Sequence, residues 1–103
     1  MKAVWALGNI AGDNTGYRNM CLSKGATDKL VAAIAKFPAN PSLKRNGVWA
    51  LSNLVRGKPI PQWDQISIGV AVFRNVIAEA KFDEALIDAL WGISWASGIN
   101  CER

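Results

Sequence analysis

Tryptophan returns in this chain at a fixed spacing and in a fixed context, and that period limits the fold more than anything else in it. Trp5-Ala6-Leu7-Gly8-Asn9-Ile10-Ala11-Gly12 aligns without gaps with Trp49-Ala50-Leu51-Ser52-Asn53 and with Trp91-Gly92-Ile93-Ser94-Trp95. The tryptophans recur after 44 and then 42 residues. A period near ~40 to 47 residues belongs to helical solenoids, whose units bury their apolar faces against neighbours. Three spaced copies in matching context exclude coincidence, and they exclude the reading that 103 residues suggest first, one closed small domain.

Gly, Pro and capping residues divide each period into helices. Tyr17 to Lys24 reads as a short helix stopped by Gly25. Thr27 is placed to cap a second helix carrying Leu30, Val31, Ile34, Ala35 and Phe37, ended by Pro38. Asn40-Pro41 reads as an N-cap followed by Pro at the first helical position, opening a long helix that stops at Gly57. After Pro59-Ile60-Pro61 the pattern predicts a helix near Gln62 to Ser67, another from Val70 to Ala80, and a third from an Asp83 cap to Gly98. Short, medium and long helices in ~42 residues fit the armadillo unit, and not the two-helix HEAT or TPR units. The expected architecture is all-α: an armadillo-repeat solenoid with a third-helix remnant at 1–13 and two full three-helix repeats at 14–57 and 58–103. The chain opens inside a long helix without its two predecessors, which points to truncation of a longer solenoid.

Composition removes other classes. The chain has no His, which excludes imidazole as base, nucleophile or metal ligand. Cys21 and Cys101 lack a C-x-x-C spacing and suit a reduced intracellular protein. Gly8-Asn9 interrupts the apolar start, so Met1-Lys2 does not open a signal peptide, and no run approaches the ~20 apolar residues of a membrane span. The net charge of +4 suggests nucleic acid only if the cations cluster, but Lys24, Lys29, Lys36, Lys58, Arg74 and Lys81 are scattered over turns and short helices. Glu84 and Asp88 form a carboxylate pair one helical turn apart, yet no nucleophile, phosphate loop or metal-ligand cluster accompanies them. Catalysis, a metal and a cofactor are therefore not expected.

The long helices carry two faces. At ~100° per residue, Leu43, Gly47, Ala50, Leu51 and Leu54 form one stripe, while Asn46, Trp49, Asn53 and Arg56 gather roughly 125° away. In the last helix Glu84, Asp88, Trp91 and Trp95 align, with Leu86, Leu90 and Ile93 opposite. In the first, Trp5 and Asn9 are one turn apart with Asp13 just beyond. Core packing is the ordinary role of a helical Trp, but it gives no reason for Asn one turn later, because a buried amide needs partners. Trp63 falls outside the pattern and suits ordinary packing. Stacked third helices, ~8 to 10 Å apart, would set Trp and Asn in ladders along one surface. Asn can hold an extended peptide backbone without reading its sequence, and indoles can take Lys or Arg stems. Asp13, Glu84 and Asp88 can meet the charged tips.

These residues resemble the armadillo core of importin-α, the adaptor that carries nuclear-localisation-signal cargo into nuclei with importin-β. The resemblance is carried by Trp5 through Asp13, Lys44 through Pro59, and Asp88 through Trp91. It covers nearly the whole chain, and it matches the third helix of family repeat three through repeat five of a right-handed solenoid. It implies that Trp5, Asn9, Trp49 and Asn53 belong to the major signal-binding array and that Asp13 meets the key signal lysine. Asn46, Arg56, Glu84, Asp88 and Trp91 match further groove positions, and Trp95 replaces an aromatic that is usually Tyr. Lys2 stands where the family tends to have a neutral polar residue. The implied partners are Lys/Arg-rich signal peptides, with importin-β engaged only through a segment absent from these 103 residues, and neither nucleic acid nor membrane. The implied location is cytoplasm and nucleus. The alternatives are a truncated product that does not bind, or a generic armadillo interaction module.

Overall fold

A computed structural model describes residues 2–79 and 81–97. Six helices account for most of them: α1 (Lys2–Asp13), α2 (Thr15–Ser23), α3 (Ala26–Lys36), α4 (Pro41–Val55), α5 (Trp63–Glu79) and α6 (Glu84–Ser97). Among the described residues there is no strand. The long helix α4 lies between α1 and α6, while α3 packs against α4 and α5, and α5 packs against α6. This is the layered helix stacking of an armadillo-type solenoid.

Local chemistry sets most boundaries. Asn14 Oδ1 accepts from Tyr17 N at 2.8 Å, Asn40 Oδ1 from Leu43 N at 3.0 Å, and Asp83 Oδ1 from Leu86 N at 3.0 Å. Each satisfies a backbone donor that the first helical turn leaves open. The Asn40-Pro41 and Asp83 starts agree with the sequence reading. Thr27 does not cap: α3 begins one residue earlier, after Gly25, whose φ of +78° only glycine adopts without strain. Thr27 is instead buried inside α3, its hydroxyl without a hydrogen-bond partner among the described residues.

Two expectations about the second period fail. The helices expected at Gln62–Ser67 and Val70–Ala80 are one continuous α5, with Gly69 in its middle (Ala80 lies outside the described residues). Gly69 is there for close approach and not as a breaker: a Cβ on it would lie 3.2 Å from Leu51 Cδ2 and 3.3 Å from Thr27 Cγ2. The buried face of α6 is also not Leu86, Leu90 and Ile93 but Ala85, Ala89, Gly92 and Ala96. Leu86 and Ile93 are half-buried, and Leu90 and Ile87 are exposed. Small residues win this face because α6 comes so near α5 that a Cβ on Gly92 would stand 2.5 Å from Phe73 Cζ. Trp63, expected to pack, is mostly exposed, and Phe37, expected within the second helix, lies just past the end of α3 and is exposed too. The expected helix end at Gly98 and the thiol of Cys101 lie outside the described residues.

The core runs from Leu22 and Leu30 through Val48, Leu51 and Leu54 to Ile66 and Phe73. The α4 stripe of Leu43, Gly47, Ala50, Leu51 and Leu54 is buried as read from the sequence. Cys21 is buried as well, and that burial pushes its thiol up from the ordinary value. Arg18 on α2 is only 1% exposed. Its guanidinium is a five-donor hub: Nη1 donates to the carbonyls of Arg56 (2.6 Å) and Gly57 (3.1 Å), Nη2 to Pro59 and Asn19, and Nε to Asn19. A buried cation is tolerable only when its donors are met, and here they fasten the segment after α4 to α2.

Candidate functional site

The repeated tryptophans sit on α1, α4 and α6. Trp5 is 58% exposed and Trp91 53%, so neither is a core residue. Trp49 is half-buried because its ring lies on α1 at Gly8, where a Cβ would come within 2.7 Å of Cε3 and 3.0 Å of Cη2. One turn along, Asn53 lies against Gly12 and its Nδ2 donates to the Gly8 carbonyl at 2.9 Å. The Trp/Asn spacing on α4 therefore meets a Gly/Gly spacing on α1. Asn53 is 8% exposed, so much of its amide serves this contact between helices. Sequence reasoning credited it to the groove alone; Gly8 and Gly12, four residues apart, were the signal for this second role.

Two adjoining hollows share Trp49 and Asp88. The first, about 220 Å³, gathers Trp5 from α1, Arg45, Asn46 and Trp49 from α4, and Glu84 and Asp88 from α6. The second, about 270 Å³, is lined by Trp49, Ser52, Asn53 and Arg56, with Asp88, Trp91 and Trp95 across from them. Asn9 and Asp13 join neither. They line a separate hollow with Ile10, Tyr17 and Met20 at the other side of α1.

The first hollow is acidic despite the chain's net positive charge. Glu84 and Asp88 stand one turn apart on α6, and Arg45 pairs with Glu84 at 3.4 Å. Burial, and then repulsion from Glu84, hold the Asp88 carboxyl above the ordinary aspartate value. A cation entering there would relieve both effects. Asn46 Nδ2 donates to the Ser42 carbonyl at 2.9 Å. In the second hollow Trp91 and Trp95 stack on each other, centroids 5.8 Å apart and planes 22° from parallel. The Arg56 guanidinium lies over the Trp95 ring at 5.9 Å. Among the described residues no group of three or more His, Cys, Asp or Glu could hold a metal ion, and no helix is long and apolar enough to cross a membrane.

No family model matches the chain. Full-length relatives do. The chain is 40% identical over 96 residues to importin subunit alpha-2 of Arabidopsis thaliana, a match covering 93% of this chain and 18% of that protein. It is 38% identical over 96 residues to importin subunit alpha-1b of Oryza sativa, with the same two shares. It is 33% identical over 107 aligned positions to a probable importin subunit alpha-A of Dictyostelium discoideum, covering 91% of this chain and 20% of that protein. The chain thus spans about a fifth of the length of the relatives it matches.

Proposed function

From the premise that this chain is an importin-α-type armadillo segment, we propose that it binds extended, Lys/Arg-rich nuclear localisation signals along the face of α1, α4 and α6. Its role in this reading is that of a nuclear import adaptor segment working between cytoplasm and nucleus, with no chemistry of its own. The observation that carries the reading is the acidic hollow in which Trp5, Asn46, Trp49, Glu84 and Asp88 converge from three adjacent helices, α1, α4 and α6. Indole faces take the alkyl stem of a Lys or Arg and attract its charge by ~0.5 to 2 kcal/mol per contact. Asp88 and Glu84 then meet the tip, and the partial burial that disfavours an unpaired carboxylate makes the cation's arrival favourable.

The hollow of Asn9, Asp13, Tyr17 and Met20 supplies a further carboxylate with apolar walls, suited to a second basic side chain. Repeat units at 14–57 and 58–103, following a third helix at 1–13, belong to the same proposal. Importin-β, a partner implied by the resemblance to importin-α, would be engaged through other parts of a longer protein.

Titration with a Lys-rich signal peptide, followed by tryptophan emission, tests the reading. A saturable, salt-sensitive change is expected, because phosphate-free charge contacts of this kind are screened by salt. The variant Trp49→Ala plus Asn53→Ala should lose it while remaining helical by circular dichroism. No saturable change in the parent chain, or equal binding by the double variant, refutes the proposal in favour of a non-binding product.

A further inference from the structure

The aromatic slots of this groove are not equivalent. Arg45 lines the hollow of Trp5 and Trp49 but is paired with Glu84 at 3.4 Å and lies over neither ring, whereas the Arg56 guanidinium lies 5.9 Å from the Trp95 ring centroid. Trp95 also stacks on Trp91, which leaves no gap for an alkyl stem between those two indoles. Arg56 is fixed from its main chain: its carbonyl accepts from the buried Arg18 at 2.6 Å, and Arg18 holds Gly57 and Pro59 beside it. The next residue, Gly57, turns the backbone at φ +87°, a conformation that glycine alone adopts without strain. The direction in which the Arg56 side chain leaves is therefore set by buried hydrogen bonds.

We propose that Arg56 is a specificity-determining residue that fills the Trp95 slot from within, so that the α4–α6 hollow refuses a Lys or Arg stem while the Trp5–Trp49 hollow accepts one. This rests on the reading of the groove as a site for basic peptides. A bound peptide then carries its basic residues against α1 and α4, and a neutral or acidic residue where it passes Arg56. Arg18 acts as a positioning residue for this arrangement.

The experiment is a double-mutant cycle with a short all-lysine peptide, titrated against the full chain, Arg56→Ala, Trp95→Leu and the two combined. Emptying the slot should tighten binding about two- to five-fold, the size of one exposed cation–π contact. That gain should vanish when Trp95 is Leu and persist when it is Tyr, which keeps an aromatic face and so guards against a Leu variant that packs poorly. No gain from Arg56→Ala overturns the proposal. An equal gain in the Leu background also overturns it, because Arg56 would then act as a charge alone. If neither the parent chain nor Arg56→Ala binds the peptide, both this inference and the peptide-binding reading fall. Parent binding without a gain removes this inference alone.

Discussion

Gly8→Ala and Gly92→Ala add the same methyl group against an aromatic ring at comparable distances, and they should have unequal consequences. Each removes a helical glycine, which favours the folded state by about 1 kcal/mol. At Gly92 the new Cβ would stand 2.5 Å from Phe73 Cζ and 2.8 Å from Cδ2. Ordinary contact begins near 3.4 Å, so the ring must retreat by about 1 Å. Phe73 is fully buried and has nowhere to go. Overpacking at the upper end, about 3 kcal/mol, leaves a net loss near 2 kcal/mol, and for a domain of this size a melting temperature lower by about 8 to 16 °C. At Gly8 the Cβ meets the outer ring of half-buried Trp49, which can swing toward the groove. Losing part of that burial costs about 1 kcal/mol, so stability should change by less than about 0.5 kcal/mol while peptide affinity falls. Thermal and urea unfolding by far-UV circular dichroism, with a peptide titration of Gly8→Ala, decide the matter. A Gly8→Ala loss as large as that of Gly92→Ala would refute the claim that ring mobility sets the difference.

Arg18→Met should lower stability by about 3 kcal/mol, because the carbonyls of Arg56, Gly57 and Pro59 lose a charged donor together. Arg18→Lys should recover less than half of that in urea unfolding, since an ammonium cannot reproduce the planar five-donor fork. The Asp88 carboxyl titrates above an ordinary aspartate, so the native state binds more protons than the unfolded chain between those two values. Its contribution to stability is present at acid pH and is lost as pH rises through the raised value. Asp88→Asn should therefore be the more stable protein at neutral pH and converge on the parent in acid. For binding the sign is reversed: affinity for a basic peptide should fall as pH drops through the raised Asp88 value, and the Asn variant should lose that inflection.

The period of tryptophan was enough to foresee a helical solenoid, and the caps at Asn40 and Asp83 located two of its helix starts within a residue. Those signals are local: a side chain meets a backbone group three positions on, and the sequence displays both. What sequence could not display was distance between helices. Gly69 resembles a breaker until Leu51 and Thr27 are seen pressed against it, and the aliphatic residues of α6 resemble a core stripe until Ala85, Ala89, Gly92 and Ala96 are seen to pack instead. The groove divides the same way. The helical alignment of Trp49 with Asn53 and of Glu84 with Asp88 was readable, and each pair lines a hollow together. That Asn9 and Asp13 face a different hollow, and that Asn53 spends its amide on Gly8, depends on how α1 and α4 cross.

The reach of Arg18 has a consequence for how the chain comes apart. Solenoids can unravel from an end, one unit at a time, because each unit touches only its neighbours. Here a guanidinium on α2 grips carbonyls 38 to 41 positions downstream, across the segment that leads from α4 into α5. That segment cannot peel away without stranding a buried charge, and α2 cannot melt without releasing it. The two halves are thereby locked into one cooperative transition. The segment around Lys58 and Pro59 becomes a tethered linker that a protease should reach only after α2 has let go of it.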